Sequence, residues 1–322
     1  MQLDVFFYEA FEEEAAEIKK HLPPGLKAAF TAATIQEQHD PAPPARLISI
    51  RTQSVIPPDW AGRLAGVVTR STGYDHLSAY RNMNRPDLPC GYLPEYCARA
   101  VAEQAILMAM ALLRKLPAQA RQFNDFNRDG LTGREVRGKT LLVVGVGNIG
   151  GEVGNIGGAL GMRVLGVDIV RRRDNLLYVS IEEGLPEADV VVCAMNLTAD
   201  NRGYFSRARW QRIKSGAVFV NIARGEMSPV SDLIQALDEG LLAGVALDVY
   251  DEESRLAVAL RSGVTEDKAL RDIQDLSTRP NVLLPPHNAF NTHESVERKS
   301  RQTVEQVRHF LDQGRFLWPL PE

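Results

Sequence analysis

The sequence predicts an α/β protein with a doubly wound parallel sheet and a second, smaller α/β domain. Two observations predict it. From Thr140 onward, short apolar runs alternate with helix-length intervals, the pattern of parallel strands buried on both faces. The 322 residues are too many for one ordinary core and suit two domains.

The first hundred residues hold four strand candidates: Leu3 to Tyr8, Ala28 to Thr34, Leu47 to Ile50 and Gly66 to Thr69. Helical or polar segments separate them, and Pro41, Pro43, Pro44, Pro57 and Pro58 punctuate the loops. Glu95 to Leu116 is an alanine-rich helical pattern, apolar on most faces and suited to burial between domains. Arg121 to Arg137 is polar and reads as a connection. Strands are then expected at 141–145, 163–168, 189–194, 217–222, 243–248 and 281–284. The charged interval 249–280 holds one helical piece near Lys268 to Leu276. A last helix, His293 to Gln313, lies beyond the sheet and is expected to return to the first domain. The expected division is 1–98 with 289–322, and 99–288.

Composition narrows the function. Hydrophobic content of 44% and charged content of 24% are those of a soluble globular protein. A net charge of −4 gives no electrostatic case for nucleic acid or an anionic membrane. Cys90, Cys97 and Cys193 have no metal-ligand spacing and cannot all pair, which fits a reducing cytoplasm. No metal site is expected. MQLDVFFYEAFEEE lacks the basic start of a signal peptide. The longest apolar run, Ala105 to Leu113, is far short of the ~20 residues of a membrane span.

The most informative stretch is LLVVGVGNIGGEVGNIGGALGMRVLGVD, Leu141 to Asp168. It reads as strand, glycine turn, helix, strand, carboxylate, the order of a dinucleotide site. Gly145 allows the tight turn, Gly147 lets backbone amides approach a pyrophosphate, and Gly150 lets helix and strand pack closely. The helix start offers unpaired N–H groups and a positive dipole end. Asp168, 23 residues after Gly145, is placed to bind a ribose. Val-Gly-Asn-Ile-Gly-Gly recurs at Val153 without a preceding strand, so that copy reads as helix. Its glycines at 151, 154, 157 and 158 each cost about 0.5–1 kcal/mol relative to alanine.

In such sheets, ligands bind beyond the carboxyl ends of the strands. Arg224, Asp248 and His287 follow the fourth, fifth and sixth of these strands. Arginine offers a charged planar fork suited to a carboxylate or a polarised carbonyl. Histidine exchanges a proton near neutral pH. A nearby carboxylate would orient it and favour its charged form. Asp251, Glu252 and Glu253 all qualify from the residues alone.

Together these segments closely resemble the D-isomer-specific 2-hydroxyacid dehydrogenases. The likeness runs from about Leu47 to Gly314. It is carried by GREVRGKTLLVVGVGNIG, ALGMRVLGVD, VNIARGEMSPVSDLIQALDEGLLAGVALDVYDEE and RPNVLLPPHNAF. The Gly-Arg-Glu-Val lead-in and His-x-Ala-Phe segment are most similar to the D-lactate dehydrogenases. The resemblance implies a Rossmann coenzyme domain plus a smaller flavodoxin-like substrate domain, NAD as cofactor, and a homodimer. It implies that a 2-keto acid is reduced to a D-2-hydroxy acid in a cleft. Arg224 then binds substrate, His287 is the acid/base, and Glu253, five residues after Asp248, is its partner.

The resemblance also assigns Asn148 and Ile149 to the pyrophosphate turn, Asp168 to the ribose and Asp248 to the nicotinamide side. Met195, Asn196, Asn201, Ile222 and Ala223 complete the expected cofactor set, with Arg224 beside it. The amides of the Ser71-Thr72-Gly73 loop match those that hold the substrate carboxylate, and Tyr96 and Phe290 match pocket residues. Two departures are Asn196 and Ser254, where the family commonly has proline. They put the shape of two loops in question and remove no catalytic side chain. Arg51, at the end of a substrate-domain strand, is a candidate for meeting a polar distal group. Arg171, Arg172 and Arg173 follow Asp168 and could pair with a 2′-phosphate. Other functions in view are a glyoxylate/hydroxypyruvate reductase and a non-catalytic NAD-sensing interaction protein of the same fold.

Overall fold

The computed structural model describes residues 3–174, 176–263 and 268–321. The chain forms two units, Met1–Cys97 with Asn291–Glu322, and Ala98–Phe290. Both are α/β.

The first unit contains β1 (Val5–Phe7), α1 (Glu12–His21), β2 (Ala28–Phe30), α2 (Ile35–Gln38), β3 (Leu47–Ile50), β4 (Gly66–Thr69), α3 (Asp75–Asn84) and β5 (Cys90–Gly91). Its sheet is parallel, in the order β2-β1-β3-β4-β5, which is the flavodoxin-like order. The helix of the second chain segment, His293–Gln313, numbered α12 below, packs beside α1. Thr292 caps its start by accepting from Ser295 N, and Gly314 ends it in the left-handed conformation. Phe310 and Phe316 stack at 4.5 Å. A Cβ on Gly66 or Gly91 would lie 2.5 or 2.6 Å from those rings, so the sheet fits them through bare backbone.

The second unit opens with α4 (Ala98–Leu113) and α5 (Leu116–Gln122). Next come β6 (Thr140–Val144), α6 (Asn148–Ala159), β7 (Arg163–Val167), β8 (Leu177–Tyr178), α7 (Ile181–Gly184), β9 (Val190–Cys193) and α8 (Arg207–Trp210). β10 (Ala217–Asn221), α9 (Val230–Asp238), β11 (Leu242–Leu247), α10 (Glu253–Ser262), α11 (Lys268–Thr278) and β12 (Val282–Leu283) complete it, and α12 (His293–Gln313) follows in the first unit. The parallel sheet runs β12-β11-β10-β9-β6-β7-β8. The order reverses between β6 and β9, the switch point at which doubly wound sheets bind ligands. β6, β9 and β10 are buried at every residue, as expected of strands covered on both faces.

In the second unit the expected strands end one residue earlier than the sequence reading placed them, and in the first unit β2 ends at Phe30 rather than Thr34. Gly145, Asp168 and Asp248 therefore stand just beyond β6, β7 and β11. The two-residue strands β5 and β8 were not expected. The interval 249–280 holds two helices rather than one, and its residues 264–267 lie outside the described residues. The second glycine copy does lie within α6. There a Cβ on Gly157 would collide with the Leu141 side chain, so close packing on β6 offsets part of the cost of glycine. Among the described residues, no helix is long and apolar enough to cross a membrane.

Candidate active site

The glycine turn is built by close approach. Gly145 has φ +93°, and a Cβ there would lie 2.6 Å from Met195 N and 2.7 Å from Ala194 C. The β6 turn and the end of β9 thus touch backbone to backbone. A Cβ on Gly150 would overlap the Gly145 carbonyl oxygen, so this glycine lets α6 begin directly over the turn. Gly147 differs. Its φ is −78°, open to any residue, and a Cβ there would meet no protein atom within 4 Å. Nothing in the chain itself requires glycine at 147, whereas a phosphate in front of α6 would. The first-turn amides of α6, at Asn148, Ile149 and Gly150, have no intrahelical acceptor. The turn therefore fits a pyrophosphate.

Asp168 is fixed beside that turn. Its Oδ2 accepts from Val146 N at 2.6 Å and its Oδ1 from Val170 N at 2.9 Å. Each oxygen keeps a lone pair for a hydroxyl. Of the three arginines, Arg171 lies over the Tyr178 ring at 5.9 Å. Arg173 lies so close to α6 that a Cβ on Gly151 would collide with its guanidinium.

The β9 loop is tied internally. Asn201 Nδ2 donates to Asn196 O and Asn201 Oδ1 accepts from Thr198 N, both at 2.8 Å. The Asn201 side chain thus shapes its own loop, and the Asn196 carbonyl is held where proline was expected. Met195 packs on the core from the same loop.

Asn221, fully buried at the end of β10, organises the next loop. Its Oδ1 accepts from Ala223 N at 3.0 Å, and its Nδ2 donates to Arg224 O and Ser228 Oγ at 2.9 and 2.8 Å. Ile222 N donates to Cys193 O, tying this loop to β9. Arg224 Nη1 donates to Ala223 O at 2.8 Å. A Cβ on Gly225 would overlap the Tyr250 carbonyl carbon and Asp251 N. The arginine loop is therefore pressed against the loop that carries Glu253.

His287 and Glu253 meet directly. His287 Nδ1 lies 2.7 and 2.8 Å from the two carboxylate oxygens of Glu253, and the side chains are 20% and 17% exposed. An ionised carboxylate only accepts, so Nδ1 carries a hydrogen and Nε2 is the free face of the ring. Glu253 stands at the first residue of α10, where the helix dipole favours an anion. The rival Glu252 pairs with Arg255 at 2.9 Å instead.

The His287 turn is held from beneath. His287 has φ +52°, a left-handed conformation that non-glycine residues rarely adopt. Its N–H donates to Pro285 O at 3.0 Å. Asp248, 2% exposed, accepts from Asn288 N at 2.9 Å through Oδ1 and from Ala289 N through both oxygens. Burial pushes the Asp248 carboxyl up to about 6, against the opposing pull of His287 and the two amides. Asp248 is thus the clamp of the histidine loop, and Asn221 that of the arginine loop. Sequence reasoning missed both clamping roles. Phe290 is buried just after the turn.

In the first unit, Thr72 Oγ1 donates to Leu93 O at 3.0 Å and lies 3.4 Å from Cys97 Sγ. Among the described residues, no hydrogen bond engages the backbone N–H of Thr72 or Gly73. That leaves two adjacent donors for an acceptor. Tyr96 is 5% exposed, and burial raises its phenol well above the ordinary range. Arg51 sits over the Phe11 ring at 5.6 Å, and its backbone N–H donates to Glu9. Among the described residues, no group of His, Cys, Asp and Glu could hold a metal ion.

Comparison with known proteins shows the family. The family model for the D-isomer specific 2-hydroxyacid dehydrogenase NAD binding domain matches residues 106–289, more than half of the 322. The D-lactate dehydrogenase of Lactiplantibacillus plantarum is 29% identical over 252 residues, 76% of this chain and 75% of its own length. The aromatic 2-oxoacid reductase of Clostridium sporogenes is 31% identical over 228 residues, 69% of this chain and 68% of its own length. The solved D-lactate dehydrogenase from Aquifex aeolicus, complexed with NAD and lactic acid, has a TM-score of 0.83 and 27% identity. That likeness covers 97% of this chain and 98% of the other. The chain belongs to the D-isomer-specific 2-hydroxyacid dehydrogenases, NAD-dependent oxidoreductases that act on 2-hydroxy acids.

Proposed function

We propose that this enzyme reduces a small 2-oxo acid to the D-2-hydroxy acid, and that pyruvate is its preferred type of substrate. The observation that carries the reading is the doubly contacted His287–Glu253 pair on a clamped left-handed turn. NADH, when bound, supplies the hydride. His287 gives the proton from Nε2 to the carbonyl oxygen, while Glu253 keeps the ring oriented and charged. Arg224 polarises the carbonyl and stabilises the charge that develops on its oxygen. The free Thr72 and Gly73 amides are assigned to the substrate carboxylate, and Tyr96 and Phe290 to pocket walls. The turn at Gly145, Gly147, Asn148, Ile149 and Gly150 is assigned to the pyrophosphate. Met195, Asn196, Asn201, Ile222 and Ala223 are assigned to the cofactor through the backbone of their loops. The likeness to an aromatic 2-oxoacid reductase makes phenylpyruvate the second substrate to consider.

Initial rates with pyruvate, phenylpyruvate, glyoxylate, hydroxypyruvate and oxaloacetate test this, with NADH and with NADPH. Pyruvate is expected to give the highest kcat/KM. A different leading acid would reassign the substrate, and no turnover of any would favour a non-catalytic NAD sensor. NADH is expected to exceed NADPH, because Asp168 can accept from a 2′-hydroxyl and repels a 2′-phosphate. Asp168→Asn should narrow that preference roughly tenfold, about 1.4 kcal/mol. A parent enzyme faster with NADPH would mean that Arg171 to Arg173 govern the site.

We also propose a homodimer in a reducing cytoplasm. The described cysteines are buried and unpaired, which fits such a compartment. Leu107, Leu116, Phe123 and Phe126, on α4, α5 and the turn after them, are 58%, 52%, 72% and 74% exposed. Large exposed apolar groups so close in sequence favour an interface. Light scattering should give twice the chain mass for the parent. The Phe123→Asp, Phe126→Asp double variant should give one chain mass. A monomeric parent at micromolar concentration would remove the proposal.

A further inference from the structure

Tyr250 lies between Asp248 and Glu253 and has no role in the reading above. Its Oη is 2.7 Å from Pro285 O and 3.0 Å from Leu247 O. Both are acceptors, so its single hydrogen serves one at a time, with the shorter contact to Pro285. The Pro285 carbonyl is also the acceptor for His287 N. One carbonyl thus joins the end of β11 to the turn that holds His287 left-handed. On its other side, the Tyr250 backbone fills the space where Gly225 would carry a Cβ. Arg224 is therefore linked to Tyr250 through Gly225, His287 through Pro285, and Glu253 by three residues of chain.

We infer that Tyr250 is a positioning residue for the proposed reaction, its hydroxyl fixing the Pro285 carbonyl so that the imidazole of His287 meets both oxygens of Glu253. The inference rests on the 2-oxo acid reductase reading. Without the hydroxyl, the Pro285 carbonyl loses one of its donors and keeps the His287 N–H, and the peptide is freer to rotate. The ring then drifts from Glu253, and its charged form loses a partner. Burial, reinforced by the Asp248 and Glu253 carboxylates, raises the Tyr250 phenol, so it keeps its proton throughout the working range. The other charged and titratable groups near it on the surrounding elements include Glu253 and Arg255 on α10, Asp248, Asp251 and Glu252 on its own loop after β11, and Arg224 and Glu226 on the loop pressed against Tyr250.

The test is Tyr250→Phe, which removes one oxygen and keeps the ring. Expected are a roughly tenfold lower kcat at neutral pH, an unchanged Kd for NADH, and an alkaline limb of the reduction profile displaced to lower pH. Adding Glu253→Gln should displace that limb little further, because both changes act through one contact. Nitrogen NMR of the imidazole, without substrate, reads the same effect directly. His287 should lose its proton at lower pH in Tyr250→Phe than in the parent. That measurement separates failure of this inference from failure of the functional reading, since it needs no turnover. An unmoved limb and an unmoved His287 titration overturn the inference, even if kcat and Tm both fall, because that pattern is purely structural.

Discussion

His287→Ala is expected to lower kcat/KM for 2-oxo acid reduction by about 10²–10⁴-fold, the usual span for a positioned proton donor. NADH affinity should be largely kept, because the glycine turn and Asp168 stand on other strands of the sheet. Glu253→Gln should act differently. Reduction needs the protonated ring, so the rate falls as pH rises and the proton is lost. A carboxylate at Nδ1 favours the charged ring, and its removal should move the alkaline limb to lower pH. Each unit of displacement corresponds to about 1.4 kcal/mol of lost interaction. The measurement is kcat/KM against pH for parent and both variants. An alkaline limb that stays in place would remove Glu253 from its role.

The second large effect concerns stability. Glu14, Arg70 and Lys299 are all fully buried. Glu14 Oε1 lies 2.9 Å from Arg70 Nε and 2.7 Å from Lys299 Nζ. Burial raises the Glu14 carboxyl, but Arg70 and Lys299 outweigh it and hold it at about 2, below the ordinary 4.5. Burial lowers the Lys299 ammonium to about 7 against the pull of Glu14. Both partners shift toward easier loss of a proton. The ionised state of Glu14 is the firmer of the two, because Arg70 stays charged at any working pH.

Glu14→Gln leaves the buried Arg70 guanidinium without its carboxylate and is expected to cost about 3–5 kcal/mol. Lys299→Met should cost less, because Arg70 still neutralises Glu14. Denaturant unfolding of the three proteins checks the order. A Glu14→Gln cost below that of Lys299→Met would refute it. The pH signature follows from the same shifts. The Glu14 contribution is present above the unfolded value of 4.5 and is lost as pH falls through about 2. The Gln variant should lack that acid loss.

Much of the second unit was legible because parallel strands buried on both faces read as unbroken apolar runs. β6, β9 and β10 are of this kind. β5 and β8 have two residues each, too few to show a period. α10 was missed because Asp251-Glu252-Glu253 reads as a solvated acidic run, and the helix buries only Leu256. The residue pattern left three acids open as partner of the histidine, and the side-chain contacts single out Glu253. Asn221, Tyr250 and the clamping role of Asp248 depend on backbone groups brought together by folding, which no local pattern encodes. Glu14 hides in Glu12-Glu13-Glu14 and Lys299 in Arg298-Lys299-Ser300-Arg301, runs whose charge suggests solvent faces. Their burial comes from α1 packing beside α12, across most of the chain.

That last packing has a consequence for synthesis. The strands of the first unit leave the ribosome long before α12 exists, and the whole second unit is made in between. Until α12 arrives, Glu14 lacks Lys299, and Gly66 and Gly91 face no aromatic ring. The nascent N-terminal sheet must therefore wait half-covered, while Ala98–Phe290 has all its own strands and can close first. The order in which the two units mature is thus opposite to the order in which their first residues are made.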